Sequence, residues 1–422
     1  MTQPSIEPAA LEAAMQAYFG TPDGISKIQN ASALGQDRLV RKETSLGIIR
    51  EIPPPTNHIG DSIAPWLPVA TDDVIFDYLS VQTDGLAPAR AEDAEAELAQ
   101  KDETIAGQGR ASVLDWSLKD HYDASDVNRA RELAGVAEAM RGGNLPLLVS
   151  SATQDWNTKV ARDRALRRRK LDNRRELLIM GALSAGSVAY DDGRIKFSVD
   201  YGRPADQTAS NAAFDVAAAG LANGLWDLSG TTFDPINFFT ELNAWFYDRY
   251  LVNLGSVIGP KRVLNRFWAA DKFAQRAGLG AAYDAAGAPQ MPDLLYATAG
   301  WSPQAARAVI AASTGIEFIE YDAVYRTRAI GSNTVVNNRF TPSTRLILLP
   351  NMAEMAEIAQ TEIGFAKTLT SPHPEGNWQS GFYEWEQTTK DPWGQDVGNG
   401  VKMFPVFPHM EYTCTVDVTM PV

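Results

Sequence analysis

The stretch ARDRALRRRKLDNRRELLIMGAL, Ala161 to Leu183, poses the question on which the fold of this chain turns. Its first part crowds arginines and Lys170 into about four helical turns, and its second part is apolar almost all round. A helical segment that is apolar on every side must be buried. The helical pattern runs from Thr153 to about Ala185, and apolar positions in the basic half are sparse: Trp156, Val160, Leu166 and Leu171. One helix is therefore expected to bridge a core at its C-terminal end and an exposed basic surface at its N-terminal end. Such a surface suits an acidic partner, a nucleic acid or solvent.

Composition narrows the choice. The chain has 422 residues, 45% of them hydrophobic and 21% charged, with a formal net charge of −14. That length allows two or three compact units with a sizeable core. The acidic balance argues against non-specific coating of nucleic acid. A single cysteine, Cys414, excludes an intramolecular disulfide and a cysteine zinc cluster. Its setting in the alternating run YTCTVDV predicts a small buried residue in a strand. MTQPSIEPAALEAAMQAYF at the N-terminus lacks a basic start followed by an apolar run, so no export signal is expected. No run reaches the roughly 18 apolar residues of a membrane span. The expectation is a protein of a reducing cytoplasm, with no membrane partner.

Around the basic stretch the chain alternates element types. Leu11, Met15 and Phe19 predict a short amphipathic helix, and the following polar segment with Pro53 to Pro55 predicts an extended arm. VIFDYL within Ala70 to Val81 predicts a strand, as does LPLLV at Leu145 to Val149. Leu86 to Ala111 is an Ala/Glu-rich, helix-prone insertion with almost no large apolar residue. SVLDWSLKDHYD alternates, and a helix ended by Gly142 and Gly143 follows. VAYDDGRIKFSVDYGRP places Asp192-Gly193 between two strands. Asp234-Pro235 opens a helix with Phe239, Leu242, Phe246 and Tyr250 on one stripe. KRVLNR predicts a strand, Ser302 to Gly315 a capped helix, IEFIEYDAVYRT a strand and STRLILLP another. PHPEGNWQSGFYEW and KDPWGQDVGNG carry irregular signals before a final strand. The fold class is α+β with a mixed sheet.

Motifs of catalysis are missing. The sequence contains no GxxxxGK[ST], HExxH, CxxC or GxSxG, and GLG at Gly278 to Gly280 runs into AAY. His58, His121, His373 and His409 are far apart, and each is expected to be structural. Asp191 and Asp192 sit in a turn, where backbone geometry favours Asp. No catalytic residue, cofactor or metal site is assigned. The rival from another class is an oligomeric cytoplasmic enzyme whose catalytic unit would lie at Asp234 to Pro350.

The order of these pieces resembles the major capsid proteins of tailed bacteriophages, especially the lambda type. The resemblance rests on the arm, an extended loop bracketed by strands, the run RRRKLDNRRELLIMGAL of a spine helix, the ending VDYGR at Val199 to Arg203, PKRVLNRFWAADKF, IEFIEYDAVYR with Tyr321 and Tyr325, and TPSTRLILLP. It covers roughly Ile48 to Val418. It implies an N-terminal arm at 1–50, an extended loop at 77–123, and a peripheral domain from 51–76, 124–233 and 386–422 with its spine helix at 153–185. The axial domain would be 234–385. The run from Val401 to Val418 would return to the peripheral domain.

The resemblance further implies a head protein that assembles with itself as hexamers and pentamers into an icosahedral shell around double-stranded DNA. Assembly would take place in the host bacterial cytoplasm, and the mature location would be the virion. Portal, scaffolding and decoration or cement proteins are the implied partners, with packaged DNA touched only non-specifically. A cellular cargo-storage shell of the same fold is the alternative. In that fold a neighbour's extended loop passes over the spine helix. Arg167, Arg168, Arg169, Lys170, Arg174 and Arg175 are then expected to face Glu92, Asp93, Glu95 and Glu97 of an adjacent subunit. Trp378, Trp385 and Trp393 are expected to pack within or between subunits.

Overall fold

The structure is a computed structural model that describes residues 49–79, 106–123, 125–126, 147–191, 196–204, 207, 235–268, 303–328, 334–358, 363–391 and 393–417. In chain order its elements are α1 (Gly60–Ile63), β1 (Trp66–Pro68), β2 (Asp73–Leu79), β3 (Ala106–Ser112), β4 (Leu114–Asp123), α2 (Leu147–Ala185), β5 (Ser187–Asp191), β6 (Lys196–Asp200), α3 (Pro235–Tyr250), β7 (Leu254–Gly259) and α4 (Lys261–Trp268). There follow α5 (Pro303–Thr314), β8 (Glu317–Glu320), β9 (Val324–Arg328), β10 (Val335–Arg339), β11 (Arg345–Pro350), α6 (Met352–Ile358), β12 (Lys367–Thr370), β13 (Pro372–His373), β14 (Gln379–Ser380), β15 (Phe382–Lys390), β16 (Trp393–Val406) and β17 (Cys414–Asp417).

Two mixed sheets organise these elements, as an α+β class requires. In the first, β16 is the central strand: it pairs antiparallel with β15, β4 and β12, and β12 pairs parallel with β1. The second has the order β17-β11-β7-β8, with β7 and β8 parallel. A parallel pair needs a crossover, and α4 and α5 lie within it. Three longer ribbons are not hydrogen-bonded into either sheet: β2 with β3 and β5 with β6, which pack on the first sheet through Ala111, Phe197 and Val199, and β9 with β10. The main apolar core joins Leu178 to Leu183 of α2, Phe239, Leu242 and Phe246 of α3, the aliphatic side chains of β7 and β11, and Phe407 to Val416. Cys414 is buried in β17.

Several expectations are corrected. LPLLV does not make a strand: the long helix starts at Leu147. Lys261–Trp268 is a helix whose Val263 and Leu264 are buried, so one turn of apolar contact overrides strand-like composition. IEFIEYDAVYRT breaks into β8 and β9: the parallel pairing with β7 ends with the Tyr321 N–H on the Gly259 carbonyl at 2.9 Å, and Val324–Arg328 pairs with β10 instead. Strand β4, assigned to the extended loop at 77–123, instead pairs with β16 over Leu114–Asp123. The division at 385/386 does not follow the sheets either. Strands β12 and β15 belong with β16, whereas β17, assigned with 386–422 to the peripheral domain, pairs with β11 of the second sheet. The helix at Leu11 to Phe19, residues 86–105 of the insertion, the helix before Gly142 and the Asp192-Gly193 turn lie outside the described residues; the rest of the insertion, to Ala111, is not helix-prone surface but strand β3, paired with β2.

The largest correction concerns GQDVGNG. Glycine and Asp/Asn are depleted in strands, yet here they form the middle of β16, buried nearly throughout. Register explains it. Trp385 lies opposite Gly398, and Tyr383 lies opposite Gly400. A Cβ on either glycine would fall among the atoms of the facing ring, and one on Gly394 would meet the His121 ring. The aromatic rings lie across the glycines and fill the space a side chain would take.

Candidate functional site

The basic half of α2 lies on the five-stranded sheet, not in solvent. Val160, Arg164, Arg167, Arg168, Leu171, Asp172, Arg175, Leu178, Ile179, Ala182 and Leu183 are all buried. Their spacing of three and four is one continuous helical stripe. Arginine occupies it where leucine would be expected, while Leu166 points outward at 46% exposure.

Each buried guanidinium has partners within the chain. Arg164 Nε donates to Glu384 Oε1 of β15 at 2.9 Å. Arg167, only 1% exposed, donates Nε to Asn399 Oδ1 at 2.9 Å and Nη1 to Asp120. Arg168 donates to Asp172, one turn on, at 3.1 Å and to the Ile49 carbonyl at 3.0 Å, and stacks over Phe382. Arg175 donates to Asp61 and the Ala64 carbonyl, both at 2.7 Å, and lies 4.0 Å over Trp66. Arg174 sits between the rings of Trp116 and Tyr190, about 5 Å from each. Arginine suits these places because its planar fork satisfies several acceptors and its face stacks on aromatic rings.

The expected inter-subunit role of Arg167, Arg168 and Arg175 is therefore corrected: these side chains are buried within their own subunit. Of the six basic residues singled out, Arg169 and Lys170 are exposed and Arg174 is half-buried. Glu92, Asp93, Glu95 and Glu97 lie outside the described residues.

Electrostatics match this burial. Desolvation pushes the Arg168 and Arg175 guanidinium pKa values down, against the opposing pull of Asp172 and Asp61. Burial holds the carboxyls of Asp172 and Glu384 above their ordinary values despite Arg168 and Arg164. Asp396 behaves oppositely: hydrogen bonds from Lys119 above all, with His121, pull its carboxyl below the usual range.

Two further residues tie the units together and carry no obvious sequence signal of doing so. Glu176 accepts from the Ile59 and Gly60 N–H groups at 3.1 and 3.0 Å and from the Tyr321 hydroxyl at 2.7 Å. It thereby links α2 to α1 and to the turn after β8. Arg203, the last residue of VDYGR, is buried and donates to Thr413 and Thr415 at 3.0 and 3.3 Å and to the Leu183 carbonyl. Desolvation lowers its pKa to about 10. The motif has a local cause: Asp200 accepts from the Gly202 N–H at 3.0 Å, and Gly202 takes φ 73, which turns Arg203 inward. Regular three-and-four spacing of arginines with Val160 and Leu171 is the signal that could have revealed the buried stripe.

Among the described residues, no group of three or more His, Cys, Asp and Glu side chains is placed to hold a metal, and no helix is long and apolar enough to cross a membrane. The arrangement can hold one long helix rigidly across a sheet.

Against known proteins, residues 46–222 match the family model described as Phage major capsid protein E. No curated protein matches the chain. Among solved structures it is similar to a protein described as a prophage capsid protein from E. coli CFT073, with 13% identity, TM-score 0.49, and coverage of 89% of this chain and 97% of that one. A phage-related protein from Bordetella bronchiseptica RB50 has 11% identity and TM-score 0.45, covering 90% and 98%. The satellite phage P4 procapsid contains a chain with 9% identity and TM-score 0.41, covering 94% and 98%.

Proposed function

We infer that this chain is a phage major capsid protein: a structural subunit that assembles with itself into a shell, a virion protein and not an enzyme. The observation that carries this is the family match over 46–222, a span that includes helix α2 and the β5–β6 ribbon.

The finer reading is a lambda-type head protein, supported by the order of arm, loop, spine helix and VDYGR-ended hairpin. Hexamers and pentamers would tile an icosahedral shell around double-stranded DNA, assembled in the host bacterial cytoplasm. Portal, scaffolding and decoration or cement proteins would be its partners. Closed symmetric assembly needs no strong single contact, since many weak interfaces act together. The rigid seating of α2 supports the idea of a spine across the subunit. Of the six basic residues singled out, exposed Arg169 and Lys170 remain open to a neighbour's Glu92, Asp93, Glu95 and Glu97. The proposed units are an arm before residue 51, an extended loop built on β2–β3, a peripheral domain on the β16 sheet and an axial domain on the β11 sheet.

Expression of the full chain, alone and with its neighbouring genes, followed by negative-stain electron microscopy tests the reading. Hollow shells or flat hexamer sheets are expected. A monomer or small oligomer under both conditions overturns it.

A further inference from the structure

Helix α3 buries one face and exposes another. Phe239, Leu242 and Phe246 are at most 1% exposed and belong to the main core. At 3.6 residues per turn, Glu241, Ala244 and Asp248 fall on the opposite side, with Tyr247 along one edge and Leu251 just past the helix end. All five are exposed, Tyr247 at 46% and Leu251 at 62%. Leu251 also has φ 57, and its N–H closes the helix on the Tyr247 carbonyl at 2.7 Å. That left-handed closing position normally belongs to glycine, because a side chain there is strained. A leucine that is both strained and exposed points to a contact with another molecule.

The β9–β10 ribbon has complementary chemistry. Arg328 lies opposite Val335, Arg326 opposite Asn337 and Val324 opposite Arg339. Strand alternation puts these six on one face, and all six are exposed. That face holds three arginines in a chain of net charge −14, of which Arg339 is paired with Asp322 of its own subunit at 2.6 Å. Val324 and Val335 are 44% and 54% exposed. A two-stranded ribbon exposed in this way is marginal by itself.

We propose that the ribbon of one copy lies on the outer face of α3 of the next copy. Val324 and Val335 meet Tyr247 and Leu251, while Arg326 and Arg328 meet Glu241 and Asp248. The proposal rests on the shell reading above, which supplies the second copy. Both patches are exposed on the same subunit, so neither covers the other within it. Two different patches make a head-to-tail contact, the kind that closes into rings.

A charge swap tests it in the full chain. Glu241→Arg with Asp248→Arg, or Arg326→Glu with Arg328→Glu, is expected to lower shell yield at least about tenfold, because like charges then face each other. All four changes together are expected to restore yield to within about threefold of wild type, because coupled sites are not additive. Sedimentation and electron microscopy read the yield. Leu251→Gly separates folding from contact: it should raise the melting temperature of the unassembled subunit while lowering shell yield. Either charge pair assembling like wild type, the fourfold variant recovering nothing, or Leu251→Gly leaving yield unchanged overturns the proposal. So do normal shells that lose only packaged DNA on Arg326→Glu with Arg328→Glu, which would assign the ribbon to DNA. A wild-type chain that stays monomeric overturns the shell reading, and this proposal with it.

Discussion

From Val160 to Arg175, helix α2 meets the five-stranded sheet mainly through guanidinium groups, carboxylates and an amide, with Val160 and Leu171 as its apolar contacts, whereas from Leu178 to Leu183 it meets the main core through apolar side chains alone. Both halves bury a stripe with the same three-and-four spacing. The difference is in what holds each half. Aliphatic contact is non-directional and tolerates small shifts. A buried arginine requires its acceptors at set positions, since an unpaired buried charge is costly. The basic half therefore fixes where the helix lies on the sheet, and the apolar half adds adhesion.

Removing one arginine from the polar half should break it most severely. Arg164→Met leaves the Glu384 carboxylate buried without its closest charged donor, and a loss of about 3–5 kcal/mol is expected. Urea unfolding of the unassembled subunit measures it. Adding Glu384→Leu should recover much of that loss; a double variant as unstable as the single one would show that the pair does not act as a unit. In the apolar half, Leu183→Ala removes a fully buried side chain and should cost about 3 kcal/mol by the same measurement. No second substitution nearby is expected to rescue it, and that asymmetry separates the two halves.

A smaller effect distinguishes two carboxylates of the same sheet. Glu384 keeps its proton longer in the folded chain than its ordinary value of 4.5 would allow. Stability from this group therefore falls as pH rises from the unfolded value through the folded one. Asp396, held below its ordinary value of 3.8, contributes stability above that value and loses it in acid. Urea midpoints measured from about pH 4 to 7 should fall less steeply in Glu384→Gln than in wild type. Each tenfold difference in proton affinity between the folded and unfolded chain is worth about 1.4 kcal/mol. An identical slope in both would contradict the assignment. The smallest effect is on the outer face. Arg169→Ala with Lys170→Ala should change subunit stability by no more than about 0.5 kcal/mol, so a larger loss in the unfolding curve would place these side chains in the fold itself.

Legibility in the sequence followed the range of the interactions. Phe239, Leu242 and Phe246 were visible as a stripe and are buried, and β5 with β6, β11 and Cys414 lie where alternation put them. Within the candidate site, the run of basic residues was visible but its face was not. The acceptors of Arg167 and Arg164 are 47, 232 and 220 residues away, at Asp120, Asn399 and Glu384. Nothing within a helical turn announces them. The glycines of β16 misled for the same reason, since the rings of Trp385, Tyr383 and His121 that cover them are brought there by strand pairing.

By itself, then, the sequence determined the long helix, the Pro235 helix, the alternating strands β5 and β6 and the α+β class, because each depends on residues within a turn or a pleat of one another. It also carried an order of pieces that resembles phage capsid proteins. Tertiary structure alone decided that arginines face inward, that a glycine-rich segment is the central strand of a sheet, and that β17 joins the second sheet. Burial of a charge or of a bare backbone becomes favourable only when distant partners arrive to satisfy it, and no local pattern encodes their arrival.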